Sequence, residues 1–232
     1  MDAFLMILRW MHFLFGITWI GLLYYFNFVQ TPFFGETEPP VRSGAIQKLV
    51  PRALWWFRWG AMGTVFFGLL YLLIWWDMML DWTMTAWGVA ILTGGIMGII
   101  MCANVWFVIW PNQKIIIANA IAMAGGAQAD PKAAPAGRRA ALASRTNTLF
   151  SIPMLFFMGA ASHLATLVGA VTPARIAAWM IIDGAIIVLV EANALLGTQG
   201  ATKKPLDSVT GTISAGFVLW IVELVVIRLV MP

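Results

Sequence analysis

His12 and His163 are the only histidines in a chain of 232 residues, and each stands inside a strongly apolar run. Imidazole is the commonest protein ligand for metals and titrates near neutral pH. An ionisable group within a membrane-type segment is a functional candidate by default. Gly16 follows His12 by four residues and Gly159 precedes His163 by four, so each glycine shares its histidine's helix face. Two imidazoles opposed across a glycine-lined slot suit a b-type haem, with His12 and His163 as its iron ligands and Gly16 and Gly159 as its walls. Arg9, about one turn on the other side of His12, is placed to meet the haem propionates. A plainer account fits the same residues: each histidine hydrogen-bonds across helices, and each glycine lets helices pack closely. Asp183 and Glu223 also stand within apolar runs. They are the catalytic candidates, orienting an imidazole through its second nitrogen or relaying protons. An ion pair with Arg9, or a polar contact between helices, accounts for them equally well.

The elements that would position these groups follow from composition. The chain is 61% hydrophobic and 10% charged, with 13 tryptophans, and its mean hydropathy is +0.86. A soluble domain carries roughly a quarter charged residues, so an all-α integral membrane protein is expected. About 20 apolar residues are needed to cross a bilayer core. Six segments qualify: Ala3–Val29, Ala53–Leu80, Met84–Ile109, Thr148–Val171, Ala174–Leu196 and Val209–Met231. They form one transmembrane domain over residues 1–232. The first run has no basic leader or small-residue cleavage site and reads as a retained helix. The longest break, residues 111–145, is expected to be a cytoplasmic loop whose first part is an amphipathic helix on the membrane surface.

Basic residues then orient the bundle. Arg42, Lys48, Arg52, Lys114, Lys132, Arg138, Arg139, Arg145, Lys203 and Lys204 all fall in breaks on one side, whereas Asp77 and Asp81 mark the break between the second and third helices. The positive-inside rule puts both termini on the outer side, which in a Gram-negative bacterium is the periplasmic face of the inner membrane. At 1.5 Å per residue His12 then lies roughly 13 Å from that face and His163 roughly 12 Å. Asp183 and Glu223 fall near the same level. On the inner side, Arg58 and Glu191 match in depth, which favours a structural salt bridge over a catalytic role. Trp55, Trp56, Trp106 and Trp110 on that side, and Trp75, Trp76, Trp82 and Trp87 on the other, read as aromatic belts.

Several chemistries are excluded. Cys102 is alone, so no intrachain disulfide and no CxxCH haem attachment is possible. There is no phosphate-cradling glycine motif or nucleophile elbow. The lysines and arginines flank membrane helices and so make no nucleic-acid patch.

Three stretches carry a resemblance: "WMHFLFGITWIGLLYYFNFVQTPFF" (Trp10–Phe34), "LWWFRWGAM" (Leu54–Met62) and "ASRTNTLFSIPMLFFMGAASH" (Ala143–His163). Together they resemble the membrane domain of bacterial urate hydroxylases, the urate oxidase N-terminal family. Full-length members of that family follow this domain with a c-type cytochrome domain. The resemblance implies oxidation of urate with electrons passed to a cytochrome c. The sequence stops at Pro232 without CxxCH, which reads as a short form whose acceptor is a separate cytochrome or other redox partner. "RWMHFLFGITWIGLLYY" is also similar to the first helix of membrane protoporphyrinogen oxidases and copper-resistance membrane proteins. That likeness implies haem held by His12. The expected function is therefore a haem-containing membrane oxidoreductase. A non-catalytic haem-bearing or anchoring subunit of a larger electron-transfer complex, or a homo-oligomer, is the alternative. A transporter is disfavoured by the scarcity of prolines inside helices and the lack of an inverted repeat.

Overall fold

The protein, seen in a computed structural model, is described for residues 2–78 and 81–232, with the side chains of residues 75–78 outside that description. The expectations for Trp75, Trp76, Asp77 and the Leu80 end of the second span therefore lie outside the described residues. The helices are α1, Asp2–Glu36, with a π-helical stretch at Tyr25–Gln30; α2, Pro39–Lys48; α3, Val50–Met78; α4, Ala86–Ala124, with a second π stretch at Asn104–Ile109; α5, Ala133–Ala160; α6, Pro173–Leu195; and α7, Val209–Val230. No strand occurs among the described residues.

Local chemistry sets several boundaries. Pro39 and Pro40 open α2 and Pro173 opens α6, where a missing N–H costs nothing. Thr172 caps α6 by accepting the Arg175 N–H at 3.4 Å, and Ser208 caps α7 by accepting the Gly211 N–H at 3.0 Å. Both π stretches end two residues before a proline, Pro32 and Pro111. In a regular α-helix the proline ring strikes the carbonyl four residues back, and the wider π turn relieves that clash while the helix continues. Thr31 Oγ1 donates to the Phe26 carbonyl at 2.7 Å, and Asn112 Nδ2 to the Val108 carbonyl at 2.7 Å.

Among the described residues five segments are long and apolar enough to cross a membrane: Asp2–Glu36, Val50–Ile74, Ala86–Ala124, Pro173–Leu195 and Val209–Val230. Their outward faces stay apolar, as at Met6, Phe13, Ile17, Ile181, Leu189, Val225 and Leu229. Such exposure suits lipid, and the construction is that of a multi-pass membrane protein. The fourth expected span, Thr148–Val171, is corrected. Its residues 148–160 belong to α5, which starts at Ala133 and stops at Ala160, and the rest lies beyond that helix. The first half of α5 is alanine-rich, a strong helix former, and carries Arg138, Arg139 and Arg145. Most of the expected loop at residues 111–145 is likewise helix, because α4 runs on to Ala124 and α5 begins at Ala133.

The chain divides into two compact units: Met1–Leu69 with Cys102–Asn147, and Leu70–Met101 with Thr148–Pro232. In the first unit α1 lies against a glycine row of α3. The Phe15 ring occupies the place of a Gly63 side chain, and a Cβ on Gly60 would come within 3.1 Å of the Trp19 backbone nitrogen. Trp19, Leu23, Leu54, Phe57 and Ala61 fill the core there, and Phe26 meets Phe57 edge-on at 5.3 Å.

In the second unit Trp179 is fully buried. Its Nε1–H donates to Thr93 Oγ1 at 2.9 Å, and its ring lies 6.1 Å from that of Phe157. Gly216 lets α7 approach α5, since a Cβ there would lie 2.9 Å from the Leu149 carbonyl oxygen and closer still to Ile152. A backbone atom cannot move aside as a side-chain tip can. Gly216→Val is therefore expected to destabilise the protein by about 1–3 kcal/mol, read as a lowered melting temperature in detergent. Gly184→Val, with nothing within 4 Å of its Cβ position, is expected to change little.

Candidate functional sites

His12 is half-buried on the α3-facing side of α1. Its Nδ1 lies 2.8 Å from the Thr64 carbonyl oxygen. Because a carbonyl only accepts, Nδ1 carries the proton and Nε2 is left with its lone pair. That is the arrangement in which a backbone carbonyl fixes the tautomer of a metal-binding imidazole. Gly16 faces the same helix turn, its Cβ position 3.8 Å from Thr64 Cγ2. Arg9, one turn away, is exposed. The flat seat under the imidazole comes from a residue that sequence reasoning missed. A Cβ on Gly68 would stand 2.9 Å from His12 Nδ1 and 3.0 Å from its Cε1.

His163 is placed differently from expectation. α5 stops at Ala160, and His163 sits exposed in the turn that follows, ahead of the short 3₁₀ segment Leu164–Thr166. Its backbone N–H bonds the Ala160 carbonyl at 2.8 Å, and its own carbonyl accepts from Thr166 Oγ1 at 2.7 Å. Gly159 is exposed, with no atom within 4 Å of its Cβ position. His12 belongs to the first unit and His163 to the second.

Asp183 on α6 and Glu223 on α7 do come together. Each is essentially sealed from solvent, at 1% and 0% exposure, and Asp183 is close enough to act on the Glu223 charge directly. Asp183 Oδ1 and both Glu223 carboxyl oxygens have no hydrogen-bond partner. Within this unit, residues 86–101 and 148–160 contribute no ionisable side chain. On α6 itself Arg175 and Glu191 stand two turns either side of Asp183, and the Arg175 guanidinium bonds the Ala170 carbonyl at 2.9 Å. Arg228, on α7, donates to the Leu167 carbonyl.

The first unit also holds a polar interior that the apolar runs concealed. Asn27 Nδ2 donates to Ser144 Oγ at 2.8 Å and to the Leu23 carbonyl at 2.9 Å. Asn104 Nδ2 donates to Asn147 Oδ1 at 2.9 Å. Arg58 has its guanidinium 3.5 Å from the centre of the Trp110 ring and 5.4 Å from that of Trp106, and its Nε–H donates to the Leu54 carbonyl. Its cation is thus met by tryptophan faces. Trp82, expected in an outer belt, is buried at 3% exposure with its ring 5.5 Å from Trp87. Among the described residues no three His, Cys, Asp or Glu side chains gather as a metal-binding group.

A family model described as urate oxidase N-terminal matches residues 69–222, well over half of the chain. The chain belongs to the urate oxidase N-terminal family. No curated protein and no solved structure matches it. The family match takes in His163 and Asp183 and stops one residue short of Glu223, whereas His12 and its Gly68 seat both lie before its first residue. The second unit therefore falls almost entirely within the family stretch, and the histidine with the ligand-ready geometry lies outside it.

Proposed function

We propose that the chain is the membrane module of a urate-oxidising electron-transfer system, in which His12 would hold the iron of a b-type haem and a c-type cytochrome would accept the electrons. The observation that carries this reading is the His12 tautomer: Nδ1 is committed to the Thr64 carbonyl and Nε2 is left as a lone-pair donor. Family membership supports urate as the substrate class. When bound, the haem supplies one-electron chemistry at a potential set by its axial ligands and surroundings. The protein's own residues do the rest. Thr64 holds the imidazole in one tautomer, and Gly68 gives its ring room to lie flat. Withdrawing electrons from an N–H-rich substrate releases protons, and Asp183 Oδ1 and the Glu223 oxygens are acceptors with no competing partner. His163 is the candidate for a second residue that would hold the iron, with Gly159 and Arg9 as the remaining haem-contact candidates. The skew of lysine and arginine supports a bacterial inner membrane with both termini periplasmic, where a c-type cytochrome would be met.

The test is a reduced-minus-oxidised absorption spectrum of the detergent-purified chain produced with ample haem, alongside His12→Ala and His163→Ala. A b-type signal in the wild type, lost in His12→Ala, is expected. Loss in His163→Ala as well would make the ligation bis-histidine, and retention there would leave His12 as the single protein ligand. A wild type without haem, or a full signal in His12→Ala, overturns the reading.

A further inference from the structure

Arg58 stands on α3 eight residues after Val50, in the same compact unit as Trp106 and Trp110 of α4. Its Nε–H donates to the Leu54 carbonyl at 3.2 Å. The side chain therefore runs back along α3 toward the helix start, the end where Lys48 and Arg52 also lie. The guanidinium is 3.5 Å from the centre of the Trp110 ring and 5.4 Å from that of Trp106. Lys114, one turn further along α4, brings its ammonium to 5.7 Å from the centre of the same Trp110 ring. Two cations thus share one indole. The side-chain carboxylates of this unit are Asp2, Glu36, Glu38 and Asp130, and among its described residues none of them pairs with either cation. The two terminal nitrogens of Arg58 have no hydrogen-bond partner there either, since the bond from Nε is the one the guanidinium makes. Arg58 is half-exposed, and Trp55 and Trp59 beside it are exposed. Trp59 meets Trp106 edge-on at 5.5 Å, and Phe107, next along α4, is exposed as well.

We propose that Arg58 and Lys114, gathered on Trp110, form a headgroup site for an anionic phospholipid, with the exposed rings of Trp55, Trp59 and Phe107 as the bed for its acyl chains. A tryptophan face takes up the flat side of a guanidinium and leaves its N–H edge, the planar fork that matches a pair of phosphate oxygens. Two like charges held about one ring with no counter-charge repel each other most where the dielectric is low. A phosphodiester relieves that repulsion. Basic side chains near the ends of membrane helices are where anionic headgroups bind. Exposed indoles suit the boundary between headgroup and chain, since one edge is polar and the body is apolar. A free phosphate would gain the charge contact alone, whereas a lipid also covers the rings, and this selects the lipid. The site stands apart from His12 and does not depend on the redox reading.

Native mass spectrometry of the delipidated, detergent-purified full chain tests the site. The chain is titrated with dioleoyl-phosphatidylglycerol or with dioleoyl-phosphatidylcholine, which has the same acyl chains and no net charge. Wild type is expected to hold phosphatidylglycerol about tenfold more tightly than phosphatidylcholine, the effect of a charged hydrogen bond. Arg58→Gln is expected to weaken phosphatidylglycerol binding by about tenfold and to erase that preference. Arg58→Lys keeps the charge without the planar fork and is expected to weaken it by roughly threefold. Lys114→Gln is expected to cost roughly 3- to 5-fold, the contribution of one lysine near an anionic headgroup. Lys132→Gln removes the same charge from an exposed position elsewhere in the unit and is expected to leave binding unchanged. Lys114 is also exposed, so the two lysine variants decide the matter if Arg58→Gln does not fold. Equal affinity of wild type for the two lipids overturns the site. Equal weakening by Lys132→Gln and Lys114→Gln does so too, since it marks a diffuse attraction to net charge. Release of bound phosphatidylglycerol by millimolar inorganic phosphate overturns the choice of a lipid and marks a free-phosphate site.

Discussion

A Gly68→Val protein is expected to lose most of its b-type signal although His12 itself is untouched. The reason is steric. A Cβ at residue 68 would stand 2.9 Å from His12 Nδ1 and 3.0 Å from Cε1, closer than non-bonded atoms tolerate. Either the ring swings off α3 and breaks its 2.8 Å bond to the Thr64 carbonyl, or α1 and α3 separate. Separation would also unseat Phe15 from Gly63 and Trp19 from Gly60, so the ring is the cheaper part to move. A freed imidazole takes either tautomer and no longer holds Nε2 in one direction, and loss of such an orienting partner typically costs 10- to 100-fold in metal affinity. Gly21→Val on α1 is the matched control, since nothing lies within 4 Å of its Cβ position. The measurement is the reduced-minus-oxidised spectrum with a melting curve for each variant. A Gly68→Val chain that melts normally and keeps its full haem signal would show that the seat of His12 does not hold iron.

Glu223→Met carries the second large effect, with opposite signs on stability and activity. Three carboxyl oxygens of the Asp183–Glu223 pair are buried without partners, an arrangement that costs free energy unless function requires it. Methionine has a similar length and no polar oxygen, so the variant is expected to be more stable by about 1–4 kcal/mol. Turnover, measured as urate-dependent reduction of an added cytochrome c, is expected to fall by at least about tenfold, because a positioned proton acceptor contributes on the order of 10²–10⁴ to rate. Glu223→Gln and Asp183→Asn keep a buried polar group of the same shape but cannot take up and release a proton near neutral pH, so they are expected to lose activity with a smaller gain in stability. A variant that melts lower than wild type while turning over normally would make the pair a structural contact. The gain follows the logic by which functional sites sit below their stability optimum.

Much of the helical architecture was legible because a bilayer-crossing helix announces itself by length and apolarity. The first, second, third, fifth and sixth expected spans all correspond to observed segments. The fourth failed for a definite reason. Hydropathy marks where a chain is apolar, and α5 begins in the alanine-rich residues 133–147, where helix propensity rather than hydropathy is the signal. Its end was equally silent: "GAASH" contains no proline, and its one glycine is two residues before the break, so nothing in it says that the helix stops at Ala160 and leaves His163 outside. The matched depths of the two histidines came from a span boundary that the fold does not use. Asp183 and Glu223 were legible as buried carboxyls in apolar helices, and their pairing followed from α6 and α7 being neighbours. Gly68 was invisible, since a glycine in "FFGLL" means nothing until one knows which side chain lies upon it. Arg58 was read by depth alone, which says nothing of the Trp110 and Trp106 faces that meet its guanidinium.

The two π stretches have a consequence for how much length the chain can give up. A π turn holds one residue more than an α turn, so removing one residue from Tyr25–Gln30 or Asn104–Ile109 would close the ladder as ordinary α-helix and leave both flanks on their original faces. Elsewhere in the same helix a single deletion rotates everything beyond it by about 100°. Each stretch therefore stores one residue of slack, and a proline two residues downstream keeps it from being taken up, because a closed ladder would bring back the carbonyl clash of Pro32 or Pro111. Paired changes, a deletion together with replacement of its proline, should shorten α1 without moving His12 off its face. What they would consume is part of the wall of a cavity of about 120 Å³ in the first unit, which Phe26, Asn27, Gln30 and Ile109 line, so the slack in these helices is also open space inside the bundle.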